Sequence, residues 1–91
     1  MDGGPDPAKN LFRLAEERFA AEDFDAAALH LSKAIKIAPQ RINYQELLIQ
    51  SLYKGNRFKD TAEASRNLLK LDPGSAIAKH ILDLAEKKLG L

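Results

Sequence analysis

The chain has 91 residues, 45% of them hydrophobic and 30% charged, which suits one small globular domain. Fourteen basic and thirteen acidic residues leave a formal net charge of +1, too weak a field to argue for nucleic acid or an anionic membrane surface. Cysteine is absent, which excludes disulfides, thiol nucleophiles and thiolate metal sites, and no apolar run approaches the roughly 18 residues of a spanning helix.

Residues 1–5 form a Gly/Pro/Asp leader expected to be mobile. Asp6-Pro7 then starts a helix, because Asp accepts hydrogen bonds from the free N–H groups of a first turn and Pro suits the first helical position. Leu11, Leu14, Ala15, Phe19 and Ala20 follow at helical spacing to about Ala21. Glu22-Asp23 interrupts that run, and Asp23 is placed to cap a second helix. This helix carries Phe24, Ala27, Ala28, Leu31, Ala34 and Ile35 on one side, with Asp25, Ser32, Lys33 and Lys36 on the other. Pro39 marks the next boundary.

A third helix, from about Arg41 to Lys54, has an apolar stripe of Tyr44, Leu47, Leu48, Ser51 and Leu52. Gly55-Asn56 ends it, with Gly55 expected in the left-handed cap conformation. A fourth helix runs from about Arg57 to Lys70, and Asp72-Pro73-Gly74-Ser75 is the strongest turn signal in the chain. The fifth helix, about Ser75 to Leu89, places Ile77, Ala78, Ile81, Leu82, Leu84, Ala85 and Leu89 on one arc, with Lys79, Asp83, Glu86 and Lys87 opposite. Connections this short make neighbouring helices antiparallel.

Pro39 and Pro73 stand 34 residues apart, and the frame ahead of each is shared. The offset pairs Leu14 with Leu48, Phe19 with Tyr53, Phe24 with Phe58, Ala28 with Ala62, Ile35 with Leu69 and Lys36 with Lys70. A fixed period with matched apolar positions means a duplicated helical hairpin, and a unit of this size cannot bury its apolar face alone. The expected fold class is therefore all-α: stacked antiparallel hairpins, five helices in one domain over residues 6–91. Its parts are a first repeat at about 6–39, a second at about 40–73, and a last helix at about 74–91. In the 34-residue frame Ala15 and Ile49 are followed by Asp83, and a charge there suits a face that no partner helix covers.

Two helices in 34 residues, with Phe24 opening the second, Ala15, Ala27 and Ala34 at tight positions and Pro39 after it, resemble the tetratricopeptide repeat. The second copy keeps Leu48, Phe58, Leu71 and Pro73 but has Ile49, Thr61 and Leu68 at the tight positions, so its hairpin is expected to be wider or shifted in register. The resemblance implies a right-handed α-solenoid in which the helix at about 74–91 is the cap and the first helix of each repeat lines a concave groove where a ligand peptide lies. Carried over by position, that groove shows Lys9, Phe12, Arg13, Glu16 and Phe19, then Asn43, Glu46, Gln50, Tyr53 and Lys54, with Ile77 and His80 from the cap. The competing reading of Phe12, Phe19 and Tyr53 is that they only fill space between helices. Members of the family that grip a terminal carboxylate do so with Lys, Asn and Arg. The corresponding positions here are Phe12, Glu16 and Leu47, so that clamp is missing.

No catalytic motif is present, and neither a cofactor nor a metal site is expected. His30 and His80 are the only imidazoles and read as surface groups, since one His with Asp83 or Glu86 cannot complete a three- or four-ligand site. Arg13 with Glu16, and Asp83 with Lys87, are spaced as helix-surface ion pairs. The acidic stretch of Glu16, Glu17, Glu22, Asp23 and Asp25 either steers a basic partner or serves as solvated surface and caps. Two readings follow: a non-catalytic cytoplasmic module that binds a peptide or helix of a partner protein in its groove, or a scaffold that assembles with itself or inside a longer helical array. Neither involves nucleic acid or insertion into a membrane.

Overall fold

Where the chain presents a capping side chain, a helix begins directly after it. In the computed structural model, which describes residues 6–91, five α-helices follow one another: α1 (Pro7–Ala20), α2 (Phe24–Ile37), α3 (Ile42–Lys54), α4 (Phe58–Leu71) and α5 (Ala76–Leu89). The leader at 1–5 lies outside the described residues. The Asp6 carboxylate accepts the Lys9 N–H at 3.1 Å, Asp23 accepts that of Ala26 at 3.3 Å, and the Ser75 hydroxyl accepts that of Ala78 at 3.1 Å. Arg41 and Arg57, expected inside the third and fourth helices, stand one residue before them. Among the described residues there is no strand, and no helix is long and apolar enough to cross a membrane.

Consecutive helices pack on one another in an antiparallel, solenoid-like series, and α5 also lies against α3. The apolar interior divides accordingly. One cluster, Ala8, Ala15, Leu31, Ala34 and Tyr44, joins α1, α2 and the start of α3; a second, Ile49, Leu68, Ala78 and Ile81, joins α3, α4 and α5. A radius of gyration of 13.3 Å exceeds the about 12 Å of a typical domain this long, as befits stacked units that touch only their neighbours.

The duplication extends to individual backbone bonds. The Ala21 N–H donates to the Glu17 carbonyl at 3.1 Å and Asp23 to Arg18 at 2.8 Å; 34 residues on, Gly55 donates to Ser51 and Arg57 to Leu52, both at 2.9 Å. Each turn carries an edge-to-face aromatic pair, Phe19 on Phe24 at 5.3 Å and Tyr53 on Phe58 at 5.4 Å between ring centres. Each also holds one residue in the left-handed region, Glu22 at φ 61° and Asn56 at φ 63°. Gly55 was the expected left-handed residue, but it sits at φ −83°. Its small size serves close approach instead: a Cβ there would stand 3.1 Å from the Ser51 carbonyl oxygen and 3.4 Å from Phe24 Cβ. Asn tolerates the left-handed conformation, whereas Glu22 gains nothing from it. Glu22→Gly is therefore expected to raise stability by about 1 kcal/mol, read as a higher urea midpoint at unchanged slope; an unchanged midpoint would show that the strain is relieved elsewhere.

Three sequence-based placements shift. Leu14, counted with the apolar run of α1, is 44% exposed, and Leu89, counted with the arc of α5, is 38% exposed. Of the two proposed surface pairs, Asp83 with Lys87 forms at 3.2 Å, while Arg13 and Glu16 are not paired. The three tight positions are fully buried in both repeats, as Ala15, Ala27 and Ala34 in the first and Ile49, Thr61 and Leu68 in the second. The larger side chains of the second repeat go with less extensive contact between α3 and α4 than between α1 and α2.

Candidate functional site

Helical spacing puts Phe12, Glu16 and Phe19 in a line on α1, and Asn43, Glu46, Leu47 and Gln50 on the matching side of α3. These seven residues line one open pocket of about 370 Å³ between the two helices. The eight residues of helix that each side contributes are ~12 Å long, so the pocket matches about three to four residues of extended chain. Its floor is apolar, from Phe12, Phe19 and Leu47, all half-buried.

The pocket exists because α1 and α3 stand apart while both pack on α2. A stacked pair of rings spans the interval, Phe12 on Tyr44 with centres 4.7 Å apart and planes 21° from parallel. Tyr44 is itself 1% exposed and tightly held. Its hydroxyl accepts a hydrogen bond from Arg41 Nη1 at 3.1 Å, and Arg41 Nη2 lies 3.8 Å from Asp6, the residue that caps α1. The N-termini of α1 and α3 are thereby tied together beneath the pocket. Gln45, 8% exposed, donates from Nε2 to the Pro39 carbonyl at 2.9 Å and so closes the turn into α3.

Six candidate groove residues thus come together: Phe12, Glu16, Phe19, Asn43, Glu46 and Gln50. Gln50 Nε2 donates to the Glu46 carbonyl at 3.2 Å, so that nitrogen is engaged inside α3 rather than free for a peptide backbone. Lys54 joins Phe19 in a neighbouring hollow of about 500 Å³, with Ala20, Glu22 and Phe24. Lys9 and Arg13 are exposed on α1 and line neither. Tyr53 is half-buried, packs edge-to-face on Phe58 and belongs to the second apolar cluster with Ile77. His80 is exposed, while His30 is half-buried with Nδ1 shielded and without a hydrogen-bond partner.

The groove does not continue from α3 to α5 because these helices touch directly. Ala78, 0% exposed between Ile49 and Leu68, allows that approach. Leu47, which the sequence places both in the apolar stripe of α3 and at a position corresponding to the family's carboxylate grip, lies in the pocket floor and packs on the core. One feature escapes a sequence reading: a cleft of about 370 Å³ between α2 and α4, floored by Leu48 and Leu52 and edged by Leu29 and Ala64. On its rim Arg57 pairs with Asp60 at 2.8 Å and approaches Asp25 at 3.9 Å. No group of three or more metal-ligating side chains gathers anywhere among the described residues.

Compared with protein-family models and with curated proteins, the chain matches no family model and no curated sequence.

Proposed function

We propose that this chain is a non-catalytic protein-interaction module: two tetratricopeptide-like hairpins and a capping helix that hold a short segment of a partner protein between α1 and α3. The observation that carries the reading is the pocket itself, an open, apolar-floored depression bounded by polar side chains from two parallel helices. Such a surface offers aromatic area for side chains and polar groups for orientation. The cap is supported by Asp83, whose side chain is 61% exposed at the position where Ala15 and Ile49 are fully buried. Contact confined to this pocket is smaller than the about 800 Å² per partner of a standard interface, so binding is expected to be modest and readily reversible.

Asn43 is exposed on the pocket rim, in the first turn of α3, so Asn43→Trp should fill the pocket without disturbing the core. Proteins captured from lysate by the native chain should be lost by this variant while its helical circular dichroism stays native. Equal capture by both would remove the pocket from the function.

A further inference from the structure

Resting on that reading, we propose that the α1–α3 pocket is selective for a cationic side chain, so that the bound segment carries an arginine, or less favourably a lysine, beside an apolar residue. Two carboxylates, Glu16 from α1 and Glu46 from α3, line the pocket, and no lysine or arginine does. The chain as a whole is nearly neutral at a formal +1, so this is a local excess of negative charge. Neither carboxylate takes part in an ion pair among the described residues, a condition they share with Glu17, Glu22, Asp23, Glu63 and Asp72; what sets them apart is that they face one apolar-floored pocket from two helices. The cations nearest in sequence, Lys9, Arg13 and Lys54, do not line the pocket.

The cleft on the α2–α4 side shows what this chain does with such an arrangement when it supplies the cation itself. There too carboxylates come from neighbouring repeats, Asp25 from α2 and Asp60 from α4, and a single guanidinium, that of Arg57, reaches both. Between α1 and α3 Glu16 and Glu46 line the pocket with no cation of the chain beside them in its lining.

The floor suits the rest of such a side chain. Phe12 is fixed by its stack on Tyr44 and offers a ring face to a guanidinium, and Phe19 and Leu47 can cover an aliphatic stem. Arginine is favoured over lysine because its planar fork can serve two carboxylates while its faces lie on a ring. An acidic segment would bring its charge against Glu16 and Glu46 and is rejected.

The test is a selection from a library of random displayed peptides on the full chain, followed by fluorescence polarisation of the best synthetic peptide. Arginine or lysine should be enriched next to apolar residues. Replacing that arginine by citrulline, its uncharged isostere, should weaken binding about tenfold, and Glu16→Gln with Glu46→Gln should do the same. The double variant should also be nearly indifferent to the citrulline exchange, which separates direct recognition from a change in fold. If selected peptides bind and are blocked by Asn43→Trp, yet ignore both citrulline and the glutamines, the pocket stands and its charge selectivity is overturned. If no peptide is selected, or binding survives Asn43→Trp, the pocket reading falls and the selectivity with it.

Discussion

Tyr44→Ala is expected to cost about 3–5 kcal/mol, against a total stability of about 5–15 kcal/mol for a domain of ordinary size. The ring is 1% exposed and is the largest fully buried side chain among the described residues. Removing it opens a cavity beneath Phe12 and also forfeits the stack, worth about 0.5–1.5 kcal/mol in such pairs. Arg41 loses the hydroxyl to which it donates, and with it part of the tie to Asp6. Because Phe12 then lacks its support, the α1–α3 pocket should lose its shape before the rest of the fold gives way. Tyr44→Phe is the control. It keeps the stack and loses only the bond from Arg41, so about 0.5–1.5 kcal/mol is expected. Urea unfolding of both variants separates packing from hydrogen bonding. A cost for Tyr44→Ala close to that of Tyr44→Phe would mean that the ring is not the support described here.

Much of the architecture was legible because helices are local objects. Asp6-Pro7, Asp23 and Asp72-Pro73-Gly74-Ser75 fix helix starts through hydrogen bonds spanning three residues, and the observed bounds fall within a residue of those expected. The pocket residues on each helix were legible for the same reason: Phe12, Glu16 and Phe19 share a face on any α-helix. The distance between faces was not legible, since it depends on which side chains meet across helices far apart in sequence. The Phe12–Tyr44 stack holds α1 and α3 apart, whereas Ala78 lets α5 close on α3. The expected groove is therefore open between α1 and α3, while α5 lies against α3 where Tyr53 and Ile77, both half-buried, pack on the second apolar cluster. Gly55 shows a similar limit. The register of the turn's hydrogen bonds puts the left-handed conformation one residue later, at Asn56, and Gly55 sits where a Cβ would stand 3.1 Å from the Ser51 carbonyl oxygen and 3.4 Å from Phe24 of α2.

Ile49→Ala is expected to cost about 2–5 kcal/mol, although alanine is what the first repeat carries at the same place. Both Ala15 and Ile49 are 0% exposed, but they sit in interiors of different depth. Ala15 lies with Ala8, Leu31 and Ala34, where α1 and α2 make the most extensive contact in the fold. Ile49 fills the interval between Leu68, Ala78 and Ile81, where three helices meet. Three carbons are lost in the exchange, about 2.4 kcal/mol of transfer free energy before any cavity is counted. The reverse change, Ala15→Ile, should wedge α1 from α2 and cost about 1–3 kcal/mol by overpacking. The two variants should also differ in what they do to binding. Wedging α1 displaces Phe12 and Glu16 and so alters the pocket, while a cavity at Ile49 lies on the α4–α5 side of α3 and should weaken the fold with little change in affinity. Denaturation midpoints together with peptide polarisation resolve both effects. Equal tolerance of alanine and isoleucine at the two positions would mean that the repeats pack at the same spacing, and the account of why the groove is open only between α1 and α3 would fail.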